Sequence, residues 1–388
     1  MLKKLRVGLF FGGRSVEHEV SVITGLQAYE NLDKSKYEIV PVYVSKSGDF
    51  YTSPKFLDLK NYKDIDSLVL SATKITFVRG GLQTLGFWPK FIPLDLAFPL
   101  FHGSFGEDGS FQGLLEMYQI PYVGFGVLGS AISMDKVLSK QVFASMGLPI
   151  GKYVVVLRGE KPDISGLKFP LIVKPATVGS SIGINKVDNP DDLDFYIEVA
   201  GTYADKILIE EAFENCIEVN CSVLGYKEVQ VSVCEQPIPS AAFLSFEDKY
   251  QKSGLKTAGM VSLSRIIPAP ISEKLTKQIQ EATKKIFLIL DGCGVARIDF
   301  FVENKGIRSS RRFAPQDDTE CQFWVNEVNS PPGSLAYYLW EASGIKFSKL
   351  LDMLIGYGLE RSQDQKKTTY TFESGLLSKI AQKGGIKN

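Results

Sequence analysis

Two short segments near the C-terminal end carry the densest chemistry in the chain: Arg297-Ile298-Asp299 and Glu327-Val328-Asn329. Each lies in an apolar, β-prone run, and along a strand residues i and i+2 share a face. Arg297 is then a neighbour of Asp299, and Glu327 of Asn329. If the two strands pair, one face presents a guanidinium, two carboxylates and an amide oxygen. Adjacent carboxylates repel unless a cation lies between them. An all-oxygen donor set suits Mg²⁺, which takes a few carboxylates and fills its shell with phosphate oxygens and water. A surface salt-bridge cluster would use the same residues. The apolar flanks Val295, Ile298, Phe300 and Phe301 favour a half-buried site.

A second constellation runs from Lys174-Pro175 through Gly179-Ser180-Ser181-Ile182-Gly183. A lysine ends an apolar strand and a Gly/Ser loop follows. Backbone N–H groups in such a loop can cradle phosphate, with the lysine as counter-charge. It is not a Walker A loop, because no G-K-[ST] follows, and a plain hairpin turn explains the segment as well. A third is Gly12-Gly13-Arg14-Ser15-Val16-Glu17-His18-Glu19, between a strand end and a helix, where α/β sheets bind ligands. Glu19 reads as a helix-dipole residue. The dinucleotide fingerprint G-x-G-x-x-G is missing here, which argues against an NAD enzyme. Glu210-Glu211-Ala212-Phe213 closes another apolar strand, with Glu218 a short step later. Lys249-Tyr250 lies in a polar stretch, 243–260, long enough for a lid.

The elements that must position these residues follow from hydrophobic period. Strands are expected at 5–11, 38–44 and 94–100, with helices at 20–32 and 111–118, giving a parallel α/β domain over 1–124. A helix is expected at 130–146, ending at Gly147, with strands at 153–157, 170–175 and 207–211; residues 125–213 read as a smaller α+β unit. Strands at 218–223, 229–234, 295–302 and 323–328, and helices at 272–290, 335–343 and 347–359, make up a third unit, 214–360. Ser272 is the expected N-cap. The segment 361–388 reads as a flexible polar tail. The charged stretch 304–321, with Arg308, Arg311, Arg312, Asp317 and Asp318, reads as a solvated surface loop.

Composition narrows the function classes. At 388 residues the chain is too long for one core. Lys+Arg and Asp+Glu are both 44, so there is no global electrostatic case for a nucleic-acid partner. No apolar run is long enough to span a bilayer, and the basic start lacks a cleavage site, so a cytoplasmic protein without a membrane segment is expected. The five cysteines are odd in number and lack paired metal spacing, which fits reduced thiols in cores. With only His18 and His102 present, a histidine triad or zinc site has little to draw on.

Taken in order, these segments resemble the D-alanine–D-alanine ligases of the ATP-grasp superfamily over nearly all of residues 5–360. The carrying motifs are Gly12-Gly13 through Glu17-His18-Glu19-Val20-Ser21, His102-Gly103 with Gly106-Glu107-Asp108-Gly109, and Met134-Asp135-Lys136. Lys174-Pro175 with Gly179-Ser180-Ser181, Leu208-Ile209-Glu210 and Lys249-Tyr250 follow. Ala296-Arg297-Ile298-Asp299, Asn326-Glu327-Val328-Asn329-Ser330 and Pro332-Gly333-Ser334-Leu335 complete the set.

The resemblance implies an N-terminal α/β domain followed by a two-domain ATP-grasp fold gripping ATP. It implies D-alanyl-D-alanine formation through D-alanyl phosphate, for peptidoglycan precursors of the cell wall. It also implies a homodimer. Lys136 and Lys174 would contact phosphates and adenine, and Ser181 would lie in the phosphate loop. Glu210 would accept from the adenine amino group, Phe213 would lie in the adenine hinge, and Glu218 would bind ribose. Lys249 would reach the γ-phosphate. Asp299, Glu327 and Asn329 would ligate two Mg²⁺ ions, with Mn²⁺ as a substitute. Glu17 would hold the first D-alanine's ammonium beside His102, and Ser180 and Tyr250 would tie Glu17 to the lid. Arg297 and the Gly333 N–H would hold the oxyanion, and Ser334 and Leu335 the second substrate's carboxylate.

Two departures stand out. Pro332-Gly333 runs straight into Ser334-Leu335, where many members carry extra residues, and the 304–321 loop is longer than the family's. The competing readings are a D-alanine–D-lactate type ligase, against which Tyr250 argues, and a nucleotide-binding regulator without catalysis. The intact Asp299, Glu327 and Asn329 argue against the second.

Overall fold

The computed structural model describes residues 3–238, 264–304 and 322–382. Lys249, Tyr250, Cys321 and nearly all of the charged stretch 304–321 lie outside the described residues.

The N-terminal sheet has seven strands: β1 (Leu5–Gly12), β2 (Tyr37–Val44), β3 (Phe50–Thr52), β4 (Thr73–Val78), β5 (Gly81–Thr84), β6 (Phe91–Pro93) and β7 (Leu96–Pro99), in the order β6-β5-β4-β3-β2-β1-β7. β1 pairs in parallel with β2 and β7, as its unbroken apolar run requires for a strand covered on both faces. β3 to β6 extend the sheet in antiparallel fashion, so the domain is mixed rather than purely parallel. Strands β3 and β6 are three residues each, too short to show an alternation in the sequence. Helices α1 (His18–Asn31), α2 (Ile65–Leu70) and α3 (Ser110–Met117) complete the unit. The turn into α1 needs glycine: Gly12 has φ +94°, and a Cβ there would lie 2.3 Å from the Val44 carbonyl oxygen.

The expected single helix over 130–146 is two, α4 (Val127–Met134) and α5 (Lys136–Ser145). Asp135 is extended, and its carboxylate accepts from the N–H groups of Val137 and Leu138. That capping bond competes with helix continuation, so the break starts α5 at Lys136. The next sheet is β8 (Tyr153–Leu157), β9 (Leu171–Pro175), β10 (Asn185–Val187) and β11 (Lys206–Glu211), antiparallel in the order β10-β9-β11-β8 and backed by α6 (Leu193–Gly201).

The last sheet holds β12 (Cys216–Gly225), β13 (Val229–Pro237), β14 (Arg265–Ile266), β15 (Gly294–Glu303) and β16 (Phe323–Asn329), in the order β14-β13-β12-β15-β16. Helix α7 (Glu273–Ile289), capped by Ser272, buries Leu275, Ile279, Ala282 and Ile286 against it. Their partners include Val219, Cys221, Val223, Ile298, Phe300 and Val325, the alternate residues of β12, β15 and β16. The other alternation of those strands must therefore face away from this core.

The expected helix over 335–343 also differs. Gly333–Ala336 is a tight 3-10 turn in which Ser334, Leu335 and Ala336 have φ of 50°, 56° and 48°, and the helix proper is α8 (Tyr337–Ala342). Helix α9 (Phe347–Gln365) runs past the expected start of the tail at 361, and α10 (Leu376–Gln382) follows. The reason is packing: Leu350, Leu351 and Leu354 share one core with Val7, Leu9 and Phe98 of the N-terminal sheet. Arg361 is buried, stacks on the Tyr122 ring and donates to the carbonyls of Tyr122 and Gly124, where the N-terminal domain ends. Arg361→Ala strands the buried Tyr122 carbonyl and the half-buried Gly124 carbonyl, so a loss of about 2 kcal/mol in unfolding free energy is expected in urea titration. A loss below about 0.5 kcal/mol, the range of ordinary surface changes, would count against the clamp. Among the described residues no helix is long and apolar enough to cross a membrane. Cys221, Cys234 and Cys293 are buried free thiols, and Cys216 is half-buried.

Candidate active site

The face of the last sheet turned away from α7 carries the polar set. Arg297 pairs in register with Asn329, and Asp299 with Glu327, so all four side chains share one side. Across β12, Asn220 faces Asp299 and Glu218 faces Phe301, which extends the same face. Arg297 grips Asp299 in a two-pronged pair at 2.6 and 2.7 Å, and Asn329 Nδ2 donates to Asp299 Oδ2 at 3.0 Å. Burial opposes the guanidinium charge, but Asp299 outweighs it and holds Arg297 protonated. Two carboxylates and an amide oxygen on one face fit a hard divalent cation in donor chemistry. In this arrangement both Asp299 oxygens accept from Arg297.

A second polar end lies at the N-terminus of α1. Glu17 is buried, and Ser180 Oγ donates to its Oε1. Its Oε2 has no hydrogen-bond partner among the described residues. Glycines line this oxygen: a Cβ on Gly103 would lie 2.7 Å from it and one on Gly179 2.9 Å. Burial first, then the Glu107 carboxylate, raise the Glu17 pKa above the usual carboxylate range. His102 stands between Glu17 and Glu107, with Nδ1 3.7 Å from Glu107 Oε1 and Nε2 3.0 Å from Thr24 Oγ1. Burial works against its charge, but Glu107 and then Glu17 override it and raise its pKa. An ionised Glu17 with an open, desolvated oxygen is built to take a cationic group.

The third part is a cluster of buried lysines. Lys174 Nζ pairs with Glu210 Oε1 and reaches Asn326 Oδ1 at 3.4 Å. Lys140 Nζ lies 2.9 Å from Glu210 Oε2. Burial raises the Glu210 pKa, but Lys140 and then Lys174 outweigh it, bringing it down to about 2. Lys136 donates to the Val178 carbonyl at 2.6 Å and feels the charges of Glu327, Glu17 and Glu210. Burial lowers its pKa. Lys136 is thus the cation common to the two carboxylate ends. Ser180 and Ser181 both take left-handed φ, 53° and 60°, as the loop after Lys174 turns beneath Glu17. Phe213 stacks on Phe301 at 4.7 Å and tilts against Trp324 at 5.0 Å, forming an aromatic wall beside Gly151.

A family model described as the D-ala D-ala ligase N-terminus matches residues 6–125, and one described as the D-ala D-ala ligase C-terminus matches residues 142–356. The chain belongs to the D-alanine–D-alanine ligase family. A D-alanine–D-alanine ligase of Thermosipho melanesiensis is 38% identical over 368 residues, covering 93% of this chain and 96% of the relative. The solved D-alanine–D-alanine ligase from Coxiella burnetii superposes with a TM-score of 0.77 at 28% identity, over 98% of this chain and 99% of that one. The Bacillus anthracis enzyme of the same name, solved in complex with ATP, gives 0.65 at 26% identity, over 93% and 99%. As in those ligases, the fold is ATP-grasp, with a parallel-containing N-terminal sheet and antiparallel sheets beyond it.

Within this ligase fold the structure gathers Glu17, His102 and Ser180 at one end, Lys136, Lys174 and Glu210 in the middle, and Arg297, Asp299, Glu327 and Asn329 at the other. Ser334 and Leu335 lie in the tight turn after Pro332. The Ser334 hydroxyl donates to Gln27 Oε1 at 2.7 Å, and the Leu335 N–H donates to Pro332 O at 2.8 Å. The Leu335 side chain is in the core shared with Trp340. Gly333–Ala336 forms this tight turn against α1, with Ser334, Leu335 and Ala336 in left-handed φ. His18 is structural, bonded to Gly13 O and Tyr43 OH, and Glu19 is an exposed partner of Lys46.

Sequence reasoning missed Lys140, Thr24 and Trp324. Lys140 had a signal, its i+4 spacing from Lys136 on α5. Trp324 had one as well, in the β16 run that pairs it with Phe301. Thr24 had none, since its partner is 78 residues away.

Proposed function

We propose that the protein is an ATP-dependent, ADP-forming ligase that joins two D-alanine molecules into D-alanyl-D-alanine for peptidoglycan precursors. The observation that carries this reading is the buried Glu17 Oε2, without a hydrogen-bond partner among the described residues and walled by glycines, at one end of a lysine-lined site. The first D-alanine's ammonium fits there, with a charge-assisted bond to Glu17. Its carboxylate then points to the lysines. A carboxylate oxygen forms a bond to the γ-phosphorus of ATP, the bond to the β-phosphate oxygen breaks, and ADP leaves. The second D-alanine's amine attacks the acyl carbon of the resulting D-alanyl phosphate and phosphate departs. Arg297 and the Gly333 N–H hold the oxyanion between those events. A guanidinium has five donors, so its pair with Asp299 leaves capacity for this.

Glu210 accepts from the adenine amino group, Phe213 flanks the ring, and Glu218 takes the ribose. Lys136 and Lys174 neutralise phosphate charge, assisted by Lys249, and Ser180 and Ser181 shape the phosphate loop. Asp299, Glu327 and Asn329 would hold two Mg²⁺ ions (Mn²⁺ as a substitute), which would neutralise charge on the transferring phosphoryl group. The proposed unit is a cytoplasmic homodimer, divided at about residues 124, 213 and 360 by the hydrophobic pattern.

The test is ADP release coupled to product analysis with D-alanine, L-alanine, and D-alanine plus D-lactate. ADP release with D-alanine alone, yielding the dipeptide, is expected. Equal rates with L-alanine, or a depsipeptide as main product with D-lactate, would overturn the assignment.

A further inference from the structure

Lys140 is the most completely buried charged side chain described, with 0% exposure. Its Nζ faces Glu210 Oε2 at 2.9 Å, while Lys174 takes Oε1. The two oxygens of one carboxylate thus have separate cations. A buried ion pair is a poor device for stability alone, since an apolar pair of equal volume often does as well. The two lysines also differ. Lys174 ends β9, beside the phosphate loop, and has a second partner in Asn326. Lys140 lies on α5, one turn beyond Lys136, with the Tyr153 ring 6.0 Å away on β8.

We propose that Lys140 is a positioning residue for the nucleotide: it is the fixed counter-ion of Glu210, which keeps that carboxylate oriented and leaves Lys174 to turn to ATP. If Lys174 were the sole partner, ATP would compete with Glu210 for it, and either the base or the phosphates would lose a contact. With Lys140 in place, Glu210 stays charged and aimed when Lys174 moves. Glu210 is held well below the usual carboxylate range by Lys140 and Lys174 despite its burial. This inference rests on the reading of Glu210 as the adenine acceptor.

The experiment is a double-mutant cycle on KM for ATP with Lys140→Met, Glu210→Gln and the pair. Lys140→Met keeps length and removes charge, and should raise KM for ATP about 10- to 100-fold, with kcat at saturating ATP and KM for D-alanine within about threefold. A purely structural role would move all three. The double variant decides the matter even if Lys140→Met does not fold, because it removes both partners of the Lys140–Glu210 pair together and leaves Lys174 its bond to Asn326. Its KM for ATP should match that of Glu210→Gln within about twofold, since Lys140 acts through Glu210. A double variant about tenfold worse than Glu210→Gln, or a Lys140→Met enzyme with unchanged KM for ATP, overturns the proposal while leaving Glu210 in its role. An unchanged KM for ATP in Glu210→Gln removes Glu210 from the nucleotide site and overturns both.

Discussion

Glu17→Gln is expected to lower kcat/KM for D-alanine by about 10²- to 10³-fold, equivalent to about 3–4 kcal/mol, while KM for ATP changes little. The size follows from burial. Glu17 is 5% exposed and its Oε2 has no hydrogen-bond partner among the described residues, so a substrate ammonium placed there meets a desolvated carboxylate. Removing one partner of a buried, hydrogen-bonded charge pair costs far more than removing a surface pair. Glutamine preserves shape and the bond from Ser180, so the loss reports the charge. The same geometry gives a pH signature. Burial and Glu107 raise the Glu17 pKa, and Glu17 must be ionised to hold an ammonium. The acid limb of kcat/KM for D-alanine should therefore sit above the ordinary carboxylate range. Steady-state kinetics across pH checks both statements; an unchanged D-alanine kcat/KM in the variant would remove Glu17 from the substrate site.

Glu327→Gln should reduce kcat by about 10³-fold or more while leaving the melting temperature nearly unchanged. Two roles compete for this residue. It faces Asp299 in register, as a metal ligand would, and it also supplies negative charge to Lys136. Loss of a counter-ion to one lysine is worth about tenfold, whereas loss of an anionic metal ligand affects every charge on the transferring phosphoryl group. The metal titration separates them. As a ligand, Glu327→Gln raises the Mg²⁺ concentration needed for half-maximal rate. Full turnover of the variant at low Mg²⁺ would take Glu327 out of the metal site. Its half-buried place on an edge strand explains why the fold should tolerate the change.

Much of the polar face on β15 and β16 was legible in the sequence because period 2 is a local signal. Arg297, Asp299, Glu327 and Asn329 alternate with Ile298, Phe300 and Val328, and alternation alone puts the polar set opposite the core. Helix α7 was legible for the same reason, through Ser272 and its apolar spacing. The break at Asp135 was not, because a capping side chain and a tolerated helix residue look alike until the N–H groups it accepts from are known. The left-handed turn at Ser334 and Leu335 was not legible either, because residue identity does not carry backbone conformation. The closure of that turn sets where Gly333–Ala336 points.

By itself, then, the sequence determined the residue types, the strand and helix faces and the family pattern, all of which rest on neighbours a few positions apart. Tertiary structure alone decided that Lys140 shares Glu210 with Lys174, and that α9 returns to the N-terminal sheet. Those contacts depend on which elements pack together and in what register. Burial then fixes which charges are desolvated, and so which carboxylate is left with an open oxygen.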